Sequence, residues 1–327
     1  MADELLRVEN LTTWLATRSG VVTAVDDVSF SVKAGRTLAL VGESGSGKSM
    51  TCLSIMQLLP GNGHTGGGRV LFDGEDLRKK TPKEMQAIRG SKIGMVLQDP
   101  MTSLNPLFNV EYQVGEVFKY HLKINNRADR RERVIENLRQ VRIPAPEERL
   151  TSYPHQFSGG MRQRVAIGIN VACAPKLLIA DEPTTALDVT IQQQVLTLLR
   201  DLQRQTSMAV ILVTHDLHTA QRFCDDVAIM YAGRIVEQGP VSEVFARPAH
   251  PYTEGLLKAL PRLGTTAEKL TLIPGQPPSL ADLPPGCRFA PRCTRATDIC
   301  RKEYPDWVIS ADQKRRSACW WTEGQLS

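Results

Sequence analysis

The sequence predicts an α/β fold in which a parallel sheet carries its functional loops at the ends of buried strands. Three features support that expectation. The apolar run Leu38-Ala39-Leu40-Val41 breaks into Gly42-Glu43-Ser44-Gly45-Ser46-Gly47-Lys48-Ser49, which reads as a strand, a glycine-rich loop and the start of a helix. A second apolar run, Leu177-Leu178-Ile179-Ala180, ends in Asp181-Glu182. Strand-like segments at 176–180, 209–214 and 227–231, with a helical one at 191–205 between the first two, follow the alternation of a parallel sheet.

Taken in order, residues 5–41 alternate apolar and polar positions around turn signals, as in Val28-Ser29-Phe30-Ser31-Val32-Lys33-Ala34-Gly35, and predict antiparallel strands leading into the buried one. The helix after the glycine loop should run to about residue 59. The glycine-rich stretch Gly61 to Gly68 reads as loop, followed by a strand at Arg69 to Phe72 that turns at Asp73-Gly74. From Pro106 to Pro154 the pattern is helical, with charged runs such as Arg127 to Glu136, and predicts a helical insert. Residues 247–292 carry many prolines, among them Pro274, Pro277, Pro278, Pro284, Pro285 and Pro291, and read as an ordered loop-rich appendage or a linker.

With 327 residues, 42% of them hydrophobic, the chain can bury a sizeable core in one large domain plus an appendage, or in two to three smaller domains. The best candidate for a membrane span, Val165 to Ala180, is short, contains Pro175 and Lys176 and is flanked by Arg164 and Asp181, so no span is expected. Met1-Ala2-Asp3-Glu4 lacks the basic start and apolar core of a secretory signal, which points to the cytoplasm. A net charge of +5, spread among nearly as many acids as bases, describes a mixed solvated surface and argues against a nucleic-acid partner. Cys52, Cys173 and Cys224 sit singly in apolar or helical contexts and read as buried free thiols.

The glycine loop presents backbone N–H groups to a polyphosphate, with Lys48 and Ser49 placed for its oxygens and for Mg²⁺, so it is a nucleoside triphosphate site. In Asp181-Glu182 one carboxylate suits the metal and the other can polarise an attacking water; a plain helix N-terminus is the alternative. Phe157-Ser158-Gly159-Gly160-Met161-Arg162-Gln163-Arg164 opens a helix with a serine and two glycines, a donor-rich end able to meet phosphate. A helix cap explains Ser158 and one glycine, but not the whole string.

Together these strings resemble the ATP-binding subunits of ABC transporters over the first 240 residues or so. The resemblance implies a P-loop NTPase of ABC type, with a RecA-like core, an antiparallel β subdomain and a helical subdomain, plus a small Cys-rich C-terminal extension. The parts implied are 1–95 for the N-terminal core with the β subdomain, 96–160 for the helical signature-bearing subdomain, 161–242 for the rest of the core and 243–327 for the Pro/Cys-rich extension. On the residues that match, Gly42, Ser44, Gly45, Gly47, Lys48 and Ser49 would hold ATP, and Gln98 would sense Mg²⁺ and the permease. Ser158, Gly159, Gly160 and Gln163 match the signature that completes the opposite subunit's site. Asp181 and Glu182 match the second Walker motif, Ala186-Leu187-Asp188 the loop crossing between subunits, and His215 the switch histidine. Ser49, Gln98 and Asp181 would place Mg²⁺, with Glu182 and His215 catalytic. For His215 alone a satisfied structural histidine is the other reading. Trp14 is the candidate for stacking on adenine, with Leu15 or a plain core tryptophan as the alternatives.

A narrower resemblance, to the dipeptide, oligopeptide and nickel importer branch, is carried by Gln98-Asp99-Pro100-Met101-Thr102-Ser103-Leu104-Asn105-Pro106, Tyr153-Pro154-His155-Gln156 and His250-Pro251-Tyr252-Thr253. It implies an ATPase subunit of a peptide or small-solute importer, peripheral at the cytoplasmic face of the inner membrane. Its implied partners are a second ABC ATPase subunit, paralogous or identical, two transmembrane permeases and an extracytoplasmic solute-binding protein. Residues 98–106 are the expected contact with a permease. A soluble ABC ATPase acting on ribosomes or DNA is the rival, against which stand the missing second cassette, coiled-coil arms and zinc insertion.

Cys287, Cys293, Cys300 and Cys319 are separated by five, six and eighteen residues, among prolines and charged groups. Two disulfides would suit a secreted module, zinc or an iron–sulfur cluster a reducing compartment, and four free surface thiols remain a further reading. The family resemblance implies a 4Fe-4S cluster, with Zn²⁺ as the alternative. From the residues themselves, an apolar, proline-braced segment with Phe289, Trp307, Trp320 and Trp321 is expected to shield such a site.

Overall fold

The alternating residues at the N-terminus form two long strands, β1 (Glu4–Thr17) and β2 (Gly20–Lys33), and the apolar run before the glycine loop forms β3 (Thr37–Val41). The computed structural model describes residues 4–18, 20–98, 103–185, 187–260 and 273–322. Further strands are β4 (Gly63–Phe72), β5 (Glu75–Asp76), β6 (Ile93–Val96), β7 (Leu177–Asp181), β8 (Ala209–Thr214), β9 (Asp226–Tyr231), β10 (Arg234–Pro240), β11 (Val308–Ile309) and β12 (Arg316–Ser317). The chain divides into two compact units. One comprises Met1–Leu5, Val32–Arg36 and Lys79–Val213, the other Leu6–Ser31, Thr37–Arg78 and Thr214–Ser327.

In the first unit β6, β7 and β8 run parallel, with Met95 opposite Ile179 and Ile179 opposite Ile211. All five residues of β7 are buried, which is why its sequence reads as one apolar run and not as an alternation. The helical insert appears as Val110–Leu122 and Arg127–Gln140, capped by Asn109 and Asn126 through the N–H groups of Tyr112 and Ala128. Asn137 Nδ2 donates to the Gly168 carbonyl at 3.0 Å. At Gly168 a Cβ would lie 2.7 Å from Asn137 Oδ1, so the insert and the helix Gly159–Val171 approach at a distance only glycine allows.

The second unit holds an antiparallel sheet in the order β2-β1-β4-β5 and a group in the order β11-β12-β10-β9-β3, in which β3 and β9 are parallel. Residues 63–68, expected as loop, are strand. Long β1 offers a paired edge, and β4 follows it with register slips between Glu9 and Thr13. Glycines fit this bulged edge for steric reasons. At Gly68, φ is +84° and a Cβ would meet the Glu9 carbonyl at 2.3 Å; at Gly66 it would lie 2.7 Å from the Trp14 ring.

The described residues of the C-terminal extension are tied down by strand pairing and ion pairs. β12 pairs with β10 through Ser317 opposite Glu237, and the neighbouring Arg315 meets Glu237 at 3.3 Å with both side chains buried. Glu237 also accepts from the N–H groups of Ala249 and His250. Arg288 pairs with Asp26, and Arg316 reaches the Ser29 carbonyl while lying 4.4 Å from the Trp307 ring centroid. Among the single cysteines Cys52 and Cys224 are buried as expected, while Cys173 is half-buried.

Candidate functional site

In the second unit the end of β3 fixes where the glycine loop begins. A Cβ at Gly42 would stand 2.2 Å from the Met230 carbonyl, and at Gly47 2.5 Å from that of Ala24, so the backbone closes against β9 and β2 where a side chain would not fit. Gly45 and Gly47 take φ of +76° and +101°. Lys48 is buried, and its Nζ donates to the carbonyls of Gly42 at 2.8 Å and Glu43 at 2.9 Å, drawing the loop around one cation. The helix Lys48–Ile55 starts from Gly47 without a side-chain cap, so first-turn N–H groups and the positive end of the dipole lie beside the loop. Ser44 is exposed and Ser49 half-buried. Trp14 is 40% exposed on β1, with its ring against Gly66. His215, exposed, is the first residue after β8.

In the first unit Asp181 closes β7 and is buried. Glu182 follows in a left-handed backbone conformation, φ +46°, held by its N–H to the Val213 carbonyl at 3.0 Å. Its Oε2 accepts from Gln98 Nε2 at 3.1 Å and from Thr185 Oγ1 at 2.9 Å. The structure therefore joins Gln98 to Glu182 across 84 residues of chain. Thr185, absent from the sequence expectation, sits within the turn that aims the carboxylate.

The signature opens the helix Gly159–Val171. Ser158 caps it, accepting from Met161 N–H at 3.3 Å, while Ser158 and Gly159 stay exposed. Gln163 is buried, and its Nε2 has no partner among the described residues. Asp188 is likewise a cap, accepting from Ile191 N–H at 2.9 Å. A Cβ at Gly160 would lie 2.5 Å from Ile191, so the glycines of the signature are also what lets this helix pack on the segment around Asp188. Ala186 and Asp99 to Thr102 lie outside the described residues.

The four tail cysteines line one cavity together with Phe289, Trp320 and Trp321. Trp307 lies instead beneath Arg316. Burial raises the thiols of Cys293 and Cys319 and pushes Cys287 up to about 11, and each of these three is further opposed in ionising by at least one of the other tail thiols. Among the described residues no three His, Cys, Asp or Glu side chains converge as a single-ion site would have them. The four cysteines thus share one largely apolar cavity without being drawn together as a ligand set. His250 lines the same cavity and is wholly buried; burial holds its imidazole down to about 3, so it is neutral.

Comparison with known proteins gives a consistent picture. The family model described as ABC transporter matches residues 25–185, and that described as oligopeptide/dipeptide transporter, C-terminal region, matches 236–300. The chain is 49% identical over 319 residues to the dipeptide transport ATP-binding protein DppD of Bacillus subtilis (strain 168), covering 97% of this chain and 95% of that relative. It is 49% identical over 304 residues to the oligopeptide transport ATP-binding protein OppD of Escherichia coli (strain K12), covering 93% and 90%. Among solved structures it is similar to the ATP-binding cassette MJ0796 in a dimeric post-hydrolysis state bound to ADP and Pi, with TM-score 0.65 and 28% identity over 72% of this chain and 98% of that one. It is also similar to cbiO1 from Clostridium perfringens, with TM-score 0.63 and 31% identity over 75% and 91%.

Proposed function

Because the chain belongs to the ABC transporter family, in its oligopeptide/dipeptide branch, we propose that it is the ATP-hydrolysing subunit of a peptide importer. The observation that carries the reading is the carboxylate of Glu182, aimed by Gln98 and Thr185 at the end of a buried strand, in a chain nearly half identical to peptide-transport ATP-binding proteins. Lys48 offsets the phosphate charge, and Ser49, Gln98 and Asp181 hold Mg²⁺. Glu182 takes the proton of the attacking water while His215 orients water and γ-phosphate. The parts 1–95, 96–160, 161–242 and 243–327 serve as core, signature-bearing subdomain, core and extension.

Two cassettes, this chain with a paralogue or a second copy, close on two ATP molecules, each held between one subunit's phosphate loop and the other's signature. Closure rests on contacts made only with the γ-phosphate, and hydrolysis removes them. Two permeases follow that movement, and an extracytoplasmic binding protein delivers the solute. No described helix is long and apolar enough to cross a membrane. In this reading, which rests on the likeness to transport ATP-binding proteins, the subunit docks on the cytoplasmic face through the permeases. The exposed Leu107, Phe108 and Tyr112, next to residues 98–106, suit such a contact. Reconstituted with its permeases and binding protein in proteoliposomes, the chain should drive ATP-dependent uptake of a labelled dipeptide or oligopeptide. Recovery with ribosomes or DNA, and no peptide-dependent ATP turnover, would favour the soluble rival.

The cysteine cavity holds a 4Fe-4S cluster in this reading, through Cys287, Cys293, Cys300 and Cys319, in a structural role, with Zn²⁺ as the alternative. Anaerobically purified chain should contain about four irons and as many acid-labile sulfides, and Cys300→Ser should lose most of both. About one zinc per chain with no visible absorbance would assign the metal alternative.

A further inference from the structure

Glu43, the second residue of the phosphate loop, is gripped by groups far away in sequence. Arg292 meets its carboxylate with two hydrogen bonds, Nη1 to Oε2 at 2.7 Å and Nη2 to Oε1 at 3.1 Å, spanning 249 residues of chain. Tyr252, fully buried, accepts the Glu43 N–H on its hydroxyl at 3.0 Å. The Glu43 carbonyl accepts from Lys48 Nζ at 2.9 Å. N–H, carbonyl and side chain of one loop residue are thus each committed to a different partner.

Arg292 itself is spent on the protein. Its Nε donates to the Pro274 carbonyl at 2.9 Å and its Nη1 also to the Tyr231 hydroxyl at 3.3 Å, with the side chain only 6% exposed. Behind it Tyr231, Tyr252 and Phe289 pack with ring centroids 4.6 to 5.3 Å apart. The next residue is Cys293, on the wall of the cysteine cavity.

Two physical consequences follow. A carboxylate on a loop that binds a polyanion repels it, and a two-point guanidinium contact in a half-buried setting cancels that charge. A loop whose first residues are already fixed also loses less conformational freedom when the phosphates arrive. We propose that Arg292, with Tyr252, is a positioning residue of the nucleotide site: it neutralises and braces Glu43, so that ATP affinity depends on the docked C-terminal extension. The inference rests on the reading that residues 42–49 hold ATP.

The test measures equilibrium binding of a fluorescent trinitrophenyl-ATP analogue to the full chain, with melting temperature followed in parallel. Arg292→Gln should weaken binding about 10-fold, and Arg292→Lys, which keeps the charge but not the fork, by less. The distinguishing variant is the double substitution Glu43→Gln with Arg292→Gln. Removing the stranded carboxylate should recover part of the affinity lost by Arg292→Gln, which loss of packing alone would not do. If Arg292→Gln does not fold, Arg292→Lys carries the test: a weakening of about two- to fivefold with an unchanged melting temperature supports the brace, and wild-type affinity overturns it. Unchanged affinity in Arg292→Gln, alongside loss of binding in Lys48→Ala, overturns the inference. A double variant no better than Arg292→Gln overturns the charge argument. Equal binding by wild type and Lys48→Ala would instead refute the assignment of the loop.

Discussion

Glu182→Gln is expected to lower steady ATP turnover of the assembled transporter by about 100- to 1,000-fold while ATP binding persists. The substitution is nearly isosteric. Glutamine keeps an oxygen able to accept from Gln98 Nε2 and Thr185 Oγ1, so the local frame that holds the side chain survives. The backbone at φ +46°, anchored to Val213, is unaltered as well. What disappears is the capacity to take a proton from water, and the loss therefore falls on the chemical step. Phosphate release by the assembled complex, set against nucleotide retention on a filter, separates the two effects. Turnover within a few-fold of wild type would move the general base elsewhere, with His215 the first group to examine.

Lys48→Ala should act one step earlier, raising the dissociation constant for ATP at least about 100-fold, or roughly 2.7 kcal/mol. Two losses combine. The cation that would face the phosphates is gone, and the carbonyls of Gly42 and Glu43 lose the donor that curls the loop. Leaving such acceptors without a partner in a buried setting costs about 1–3 kcal/mol in its own right, so a lower melting temperature should accompany the binding defect. Lys48→Arg is not expected to rescue it, because a planar guanidinium is too broad for a niche in which one small ammonium serves both carbonyls. Calorimetric titration with Mg-ATP reads the affinity directly. Affinity equal to that of wild type would refute the assignment of residues 42–49 as the phosphate loop.

What could be seen in the sequence was whatever chemistry is written contiguously. The glycine loop, Asp181-Glu182 and the serine-glycine-glycine string are each a few residues long, because in each a strand end or a helix start brings the working groups together locally. The resemblance implied a role at the ATP site for Gln98 and for Glu182 but not their contact, since nothing in residues 84 positions apart signals their meeting. Arg292 and Glu43 were beyond reach for the same reason. Local rules also misled at Gly63 to Gly68: glycine clusters read as loop, whereas here a long neighbouring strand imposed pairing, and the missing side chains made room for Trp14 and for the bulge. Of the shield foreseen around the tail cysteines, three aromatics took their places, and Trp307 was claimed by Arg316.

The buried Glu237 and Arg315 pair gives the tail a hold on the cassette beyond that of an ornament. A polypeptide ending before Arg315 would strip Glu237 on β10 of its guanidinium partner, leaving the Ala249 and His250 N–H groups to satisfy it, and breaking such a pair typically costs about 3–5 kcal/mol. It would also uncover the margin of β10 that Arg316 and Ser317 occupy, and an open strand margin invites a stranger's strand. Shortening this protein to a bare ATPase is therefore not a neutral trim: Arg315 to Ser317 act as its keystone.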